Sequence, residues 1–336
     1  MIDSEAMCSK NLLSIDKSTF RTPLRAGCLL LGMLAMIAPS HASVNTTTVE
    51  YVVSGTRIEA FDSTGTFLLQ FGGTGTGPGQ FQLPSGITVD NTGNVWVTDA
   101  ILNRVQKFSS TGTFLLQFGS TGKAPGFLYQ PYGIATDLLG NVWVADTGNN
   151  RLQQFGPTGA FLQQYGGLGG GNGQFNAPVG IAIDPANSIS VADTGNNRIQ
   201  QLAVVLGGPG VASSVSFSRK FGNYGNGNGQ FRGLGGIAAD SNLNVWAADS
   251  LNQRIQEFAF GGTFVRSVLG PFSYPSPYGV AADGAGNIWA VDYNTNQVLE
   301  FNGVTGAKIL TFGTTGGGPG QLYHPTYIAV MRVTPI

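Results

Sequence analysis

Short runs in which apolar and polar residues alternate recur along most of the chain. The clearest run is NVWVADTGNNRLQQF at 141–155, where Val142, Trp143 and Val144 precede a Thr-Gly-Asn-Asn cluster and a second apolar and polar alternation follows. Such a pattern predicts two half-buried strands joined by a tight turn. Related sequences recur at 94–108, 188–202, 244–258 and 287–301.

Each repeating unit contains four strand-like segments. In the clearest unit they are Tyr132–Asp137, Asn141–Ala145, Arg151–Phe155 and Phe161–Tyr165, separated by Gly-, Asn- and Thr-rich connections. Four strands of about five residues in a period of about 50 residues are typical of a propeller blade. The repeats therefore predict an all-β propeller with four antiparallel strands per blade.

The two ends of the repeat region complement each other. Val49–Phe71 matches strands two, three and four of a unit, whereas Tyr327–Val333 matches strand one alone. Joined in one sheet, the two fragments add a sixth blade to five complete units. We therefore predict a six-bladed ring in which the C-terminal strand pairs with the N-terminal three strands and removes the open edges.

Several repeated side chains are interpreted as architectural. All four tryptophans occupy the centre of strand two and predict packing between blades, while an aspartate ends that strand and an arginine follows five residues later in four units. An Asp–Arg pair can serve catalysis, but equivalent copies favour a turn-stabilising role, because catalysis needs one asymmetric constellation. The residues are Trp96, Trp143, Trp246 and Trp289; Asp99, Asp146, Asp193, Asp249 and Asp292; and Arg104, Arg151, Arg198 and Arg254.

The frame PYGIATDLLGNVWVADTGNNRLQQF at 131–155, with its recurrences, resembles the NHL-repeat family of β-propellers. The resemblance covers nearly all of the chain beyond the first 48 residues. It implies a six-bladed propeller used mainly for binding, with relatives that include RNA- and protein-binding domains, sensor domains of receptor kinases and the peptidyl-hydroxyglycine amidating lyases. Fold alone does not choose among these functions.

The N-terminal segment lies outside the repeats. Basic residues precede the apolar stretch 26–38, and Ser-His-Ala at 40–42 offers a small-residue cleavage site. We therefore predict a signal peptide at 1–42, a flexible lead-in at 43–48 and one propeller domain at 49–336. The protein is expected to be secreted, or held in the periplasm or cell envelope, without a membrane span after cleavage; a retained anchor is the alternative. Cys8 and Cys28 both precede the cleavage site, so no disulfide is expected.

Charge and histidine content narrow the function classes. The chain has 17 basic and 18 acidic residues, with no basic stripe, which argues against a nucleic-acid partner. The zinc lyases implied by the resemblance need several histidines, as do streptogramin-lyase-like propellers, but beyond the signal only His324 remains. No metal or cofactor is expected. The alternative is a metal-dependent hydrolase or lyase with calcium or a similar ion in the central channel.

The candidate binding site consists of residues that depart from the repeat. Tyrosines cluster in the connections from strand four to the next strand one, and tyrosine rings with polar tips suit binding surfaces. The predicted aromatic face comprises Tyr129, Tyr132, Arg232, Tyr274, Tyr278, Tyr323, His324 and Tyr327. Alternatively, these tyrosines only cover the ends of the barrel.

The function favoured by the sequence is a non-catalytic binding or scaffold module. It is expected to bind a protein, peptide or glycan through one loop face and to act as a monomeric domain. No residue is predicted to be catalytic.

Overall fold

The computed structural model describes residues 48–274 and 276–332, and within them it forms six four-stranded antiparallel sheets arranged as a propeller. This confirms the predicted fold class. The predicted signal peptide and residues 43–47 lie outside the described residues, and the first strand begins at Thr48. Within the described residues, no helix has the length and apolarity needed to cross a membrane.

The six sheets are named blades I to VI, and their strands are numbered in chain order. Blade I contains β1 (Thr48–Ser54), β2 (Arg57–Asp62), β3 (Phe67–Gly72) and β26 (Pro325–Arg332). Blade II contains β4 (Pro84–Val89), β5 (Val95–Asp99), β6 (Arg104–Phe108) and β7 (Phe114–Phe118). Blade III contains β8 (Pro131–Thr136), β9 (Val142–Asp146), β10 (Arg151–Phe155) and β11 (Phe161–Tyr165).

The remaining blades follow the same plan. Blade IV contains β12 (Pro178–Ile183), β13 (Ile189–Asp193), β14 (Arg198–Val205) and β15 (Ser214–Phe221). Blade V contains β18 (Leu234–Ala239), β19 (Val245–Asp249), β20 (Arg254–Phe258) and β21 (Phe264–Val268), and blade VI contains β22 (Val280–Ala282), β23 (Asn287–Asp292), β24 (Gln297–Asn302) and β25 (Lys308–Phe312). A small parallel pair, β16 (Asn223–Tyr224) and β17 (Gln230–Phe231), and single 3-10 turns at Thr147–Asn149, Thr194–Asn196 and Ser250–Asn252 complete the fold.

The C-terminal strand closes the ring. Strand β26 pairs antiparallel with β1, with Val52 opposite Ile328 and Glu50 opposite Val330. Blade I therefore has the order β26-β1-β2-β3, as the complementary fragments predict. This pairing covers the inner edge of β1, which would otherwise present unpaired N–H and C=O groups.

Aromatic side chains of the second strands fill the seams between blades. Trp96 is fully buried against Val142 and Val144 of the next blade, and Trp143, Trp246 and Trp289 occupy the equivalent seams. Burial of a side chain of this size contributes roughly 3 kcal/mol or more to stability. Blade IV has the small Ser190 at this position.

Glycines at the innermost strands let neighbouring blades approach closely. A Cβ at Gly86 would overlap the backbone carbonyl of Tyr132, and one at Gly279 would lie 2.7 Å from the carbonyl oxygen of Thr326. Gly86 and its equivalents Gly133, Gly180 and Gly236 line a narrow cavity of 40 Å³, here called the neck, on the channel axis. The neck separates the two ends of the channel.

Candidate functional site

The turns between second and third strands lie on one face of the ring, together with the connections from each fourth strand to the next blade. This face is called the upper face. In blade III, Nε of Arg151 donates to Oδ2 of Asp146 at 2.7 Å, and Gln153 Nε2 donates to the same oxygen at 2.9 Å. The pairs Asp193–Arg198 and Asp249–Arg254 have the same geometry at 2.7 and 2.8 Å. Repetition of one buried arrangement in three blades indicates a scaffold role.

Each of these arginines also holds the glycine-rich connection above it. Arg198 donates from its terminal nitrogens to the carbonyl oxygens of Gly170, Gly171 and Gln174 at 2.7, 2.7 and 3.1 Å. Backbone carbonyls in these loops are thereby satisfied without regular secondary structure.

Blade II departs from the expected Asp–Arg pair. Asp99 accepts backbone N–H groups from Gln82, Leu83, Ile101 and Leu102, and Arg104 donates to the carbonyls of Thr76, Gly77 and Gln80. The Nε atom of Arg104 has no hydrogen-bond partner. Both residues thus stabilise the upper connection, but not through an ion pair like those in blades III to V.

Blade VI departs further from the repeat. Gln297 replaces the arginine, and Asp292 binds Ser273, Asn294 and Thr295 of the local turns. Burial alone would raise the pKa of Asp292, but hydrogen bonds from these residues lower it below its ordinary value. Tyr293 follows this aspartate at the position where three other blades place a small hydroxyl residue.

Those small hydroxyl residues connect neighbouring blades. Thr147 donates to the carbonyl of Pro178 at 2.6 Å, Thr194 to that of Leu234 at 2.9 Å, and Ser250 to that of Pro277 at 2.6 Å. Tyr293 instead places an aromatic ring at the entrance of the channel. At this position blade VI therefore lacks the hydroxyl that bonds the next blade and has instead a ring that forms part of the cavity wall.

A cavity of 450 Å³ opens on the upper face at the channel entrance, and all six blades line it. We call this cavity the mouth. Its aromatic lining is Tyr132, Tyr278, Tyr293 and Tyr327; its aliphatic lining is Leu83, Pro84, Val179, Leu234 and Leu251; and its small residues are Ser85, Thr194, Gly233, Gly235, Ser250 and Thr326. No residue of this lining carries a charge, and the volume lies in the range of small-ligand sites.

The channel below the neck is also lined by uncharged side chains. A cavity of 250 Å³ lies between the inner strands, where isoleucine, valine and alanine side chains predominate. Charged groups appear at the opposite end, where Asp184, Asp240 and Asp283 border a cavity of 320 Å³. The channel is therefore electrostatically asymmetric along its axis.

The aspartates at the opposite end cap turns. Asp90 accepts hydrogen bonds from Thr92, Asn94 and the indole N–H of Trp96. Burial would raise the pKa of Asp90, but these bonds outweigh burial and lower it to about 2. Among the described residues, no group of three or more histidines, cysteines and acidic residues is arranged to hold a metal ion.

An aromatic row forms the blade VI side of the mouth. The rings of Tyr278 and Tyr293 lie 5.3 Å apart, and His324 stacks on Tyr293 at 4.3 Å. Tyr323 meets His324 edge-on at 4.4 Å. Offset and edge-on contacts of this kind stabilise aromatic clusters and restrict their side-chain rotation.

Two phenols of the mouth, those of Tyr278 and Tyr327, have pKa values above the ordinary value. Burial raises the pKa of Tyr278, and the neighbouring phenols of Tyr293 and Tyr132 add to the shift. Burial likewise raises the pKa of Tyr327, with contributions from Tyr132 and Tyr278. Three blades thus bring phenols close together over the neck.

The structure divides the predicted aromatic face into an inner and an outer group. Tyr132, Tyr278 and Tyr327 line the mouth. The residues that do not line it are Tyr129, Tyr274, Tyr323, Arg232 and His324; the first three are 43, 62 and 54 % exposed, and Arg232 lies 5.9 Å from the ring of Tyr224.

Sequence reasoning missed Tyr293, along with the aliphatic residues Leu83, Val179 and Leu251. A signal for Tyr293 was present, since aligned units have threonine or serine at its position. The aliphatic residues carry no such signal, because single apolar residues near a strand start are ordinary.

Comparison with protein-family models gives matches to the NHL repeat at residues 81–108, 128–155 and 175–202. The chain contains NHL repeats. The matched segments correspond to the end of the upper connection followed by the first three strands of blades II, III and IV. No curated protein matches the sequence.

Solved structures share the NHL propeller's fold. The nidogen/laminin complex contains a chain with 16 % identity and a TM-score of 0.59, over 84 % of this chain and 98 % of that one. Virginiamycin B lyase from Staphylococcus aureus has 20 % identity and a TM-score of 0.52, over 73 % of each chain. A catalytically inactive form of that lyase with quinupristin has 17 % identity and a TM-score of 0.51, over 76 % of this chain and 82 % of that one. At these identities the likeness shows the fold alone.

Proposed function

We propose that this NHL propeller is a non-catalytic binding module that holds part of a protein, peptide or glycan partner in the mouth. The observation that carries the proposal is that tyrosines that depart from the repeat line one cavity. Blade VI replaces an inter-blade hydroxyl with Tyr293, and Tyr278 stands beside Tyr293 at 5.3 Å. A scaffold alone needs no such departures.

The chemistry of the mouth supports binding rather than catalysis. Its lining has no carboxylate, imidazole, amine or thiol, which are the usual groups for acid–base or nucleophilic chemistry. It does have apolar surface and aromatic rings, which contribute most of the energy at binding hot spots. His324 stacks behind Tyr293 and does not line the cavity.

The structural neighbours are consistent with a ligand on this fold. One neighbour is a chain of the nidogen/laminin complex, and another is a lyase with quinupristin. We further propose that the protein acts outside the cytoplasm, after removal of residues 1–42, as a single-chain domain that does not bind nucleic acid.

The test is a binding screen against immobilised peptide and glycan libraries with two matched triple variants. The inner variant is Tyr132→Ala/Tyr278→Ala/Tyr293→Ala, and the outer variant is Tyr129→Ala/Tyr274→Ala/Tyr323→Ala. We expect the inner variant to lose the ligands that wild type captures and the outer variant to retain them. Circular dichroism and thermal melting establish that both variants are folded. Equal capture by wild type and the folded inner variant would exclude the mouth as the binding site.

A further inference from the structure

We infer that the mouth recognises an uncharged, proline-rich peptide segment; this inference rests on the proposed function and names its ligand class. Three properties of the cavity lead to it: the absence of charge, the kind of polar groups left free, and the arrangement of the aromatic rings.

The absence of charge excludes ionic ligand groups from the mouth. None of its lining residues is charged. The repeat arginines of the third strands bind backbone carbonyls, as Arg254 does with Gly227 and Gln230 at 2.6 and 2.9 Å, and Arg232 lies against the ring of Tyr224 and does not line the mouth. Burial of an ion without a counter-ion costs several kcal/mol. The buried part of the ligand is therefore neutral.

The free polar groups of the mouth are mainly hydroxyls. The hydroxyls of Ser85, Thr194 and Ser250 already donate to carbonyls of neighbouring blades at 2.7, 2.9 and 2.6 Å. Among the described residues, Thr326 has a buried Oγ1 without a hydrogen-bond partner, and Tyr132 and Tyr278 line the same cavity. The mouth thus offers hydroxyls and no carboxylate or side-chain amide. A hydroxyl can donate and accept, but a phenol donates more strongly than it accepts, so these groups favour a ligand that supplies acceptors.

A ligand with many hydrogen-bond acceptors and few donors matches the polar groups of the mouth. An ordinary peptide brings one N–H per residue, and a sugar brings several O–H groups per ring, each of which loses a water acceptor when it is buried. Proline brings a carbonyl acceptor and no N–H. Prolyl tertiary amides can accept from the phenols without leaving a donor unsatisfied.

The aromatic rings provide the matching apolar surface. Tyr278 and Tyr293 pack against each other at 50° with centroids 5.3 Å apart, and both line the blade VI side of the mouth. Proline-rich segments dock in aromatic-lined grooves as preformed polyproline II helices, which lose little conformational entropy on binding. The 40 Å³ neck stops a chain from passing down the channel, so the segment lies across the mouth.

The experiment is calorimetric titration of the full chain with blocked hexaproline and, separately, blocked hexaalanine. We expect hexaproline to bind and hexaalanine not to bind. The variant Tyr132→Phe/Tyr278→Phe keeps both rings and removes both hydroxyls, and it should weaken hexaproline binding roughly 10-fold or more, since one hydrogen bond is worth about 0.5–1.5 kcal/mol. The matched control Tyr129→Phe/Tyr323→Phe should bind like wild type.

Three results would overturn the inference: no hexaproline binding by wild type, equal affinity for hexaalanine, or equal hexaproline affinity in the inner phenylalanine variant. Titration with neutral oligosaccharides shows whether only the prolyl inference is wrong or the proposed function as well. If an oligosaccharide binds wild type and the inner alanine variant loses it, the mouth is a binding site for another ligand class and only the prolyl inference is wrong.

Discussion

Arg151 and Asp146 form a buried ion pair in which Nε of the guanidinium lies 2.7 Å from Oδ2 of the carboxylate. Asp146 is fully buried, so loss of Arg151 would leave a carboxylate without its counter-ion. We expect Arg151→Met to lower the free energy of unfolding by about 3–5 kcal/mol in urea denaturation. Lys123→Met, at an exposed position of the same face, should change it by less than about 0.5 kcal/mol.

A double-mutant cycle separates the ion pair from its surroundings. The variant Asp146→Asn/Arg151→Met removes both charges and should be more stable than the sum of the two single losses predicts. Strictly additive losses would show that the two side chains are not coupled.

Close contact between inner strands predicts a strong effect of one methyl group. In Gly86→Ala the new Cβ would overlap the carbonyl of Tyr132 in the next blade, so the two blades must move apart. We expect a loss of about 3 kcal/mol or more in unfolding free energy. The control is Gly167→Ala, whose Cβ would meet nothing within 4 Å and which should have little effect. Similar melting temperatures for the two variants would contradict the prediction.

Pairing of β26 with β1 predicts that the ring fails without its last strand. Deletion of residues 325–336 removes the partner of Val52 and opens the edge of β1. We expect the truncated chain to lose the cooperative thermal transition of the full chain. A synthetic peptide of residues 325–336 should bind the truncated chain and restore the transition, whereas a scrambled peptide should not. A truncated chain that melts like the full chain would argue against closure by this strand.

Two buried glutamates predict lower stability as the pH rises from 5 to 8. Burial raises the pKa of Glu50 from 4.5 to about 7, and the charge of Glu300 adds to the shift although Thr48 opposes it. Burial and the charge of Asp283 likewise raise the pKa of Glu300 to about 7. Between pH 4.5 and 7 the folded chain binds more protons than the unfolded chain, so the free energy of unfolding falls through this range and then levels off.

The glutamate variants test this pH dependence. The raised pKa of Glu50 accounts for a fall of roughly 3 kcal/mol in the free energy of unfolding between pH 4.5 and 7. Glu50→Gln should remove this part of the fall, and Glu50→Gln/Glu300→Gln should make the free energy of unfolding still less dependent on pH. Chemical denaturation at pH 5, 6, 7 and 8 provides the measurement. An unchanged slope in both variants would show that other groups control the pH dependence.

The fold could be predicted because the same pattern of strands and turns recurs in every unit of the sequence. Trp96 and its three equivalents predict the second strands. The Asp–Arg spacing predicts the turns that follow those strands, and the complementary end fragments predict closure of the ring. Local errors in one unit are corrected by comparison with the next unit. The different hydrogen bonding of Asp99 and Arg104 escaped prediction, because their sequence is indistinguishable from that of the paired copies.

The candidate site could be predicted only in part, because a site formed at the ring axis depends on where six distant segments meet. Tyr132 and Tyr278 stood out as large residues just before the strand-one glycines, and Tyr327 stood out in the same connections, at the position of that glycine. Leu83, Val179 and Leu251 look like ordinary core residues in the sequence, and only the three-dimensional arrangement shows that their side chains surround an open cavity.

The order of synthesis gives the pairing of β26 with β1 a further importance. Of the strands in the ring, β1 is synthesised first and its partner β26 last. During translation the nascent chain is therefore an open arc in which one edge of β1 has unpaired N–H and C=O groups. A premature stop would release that arc rather than a smaller propeller, and two such arcs could seal each other through their exposed β1 strands.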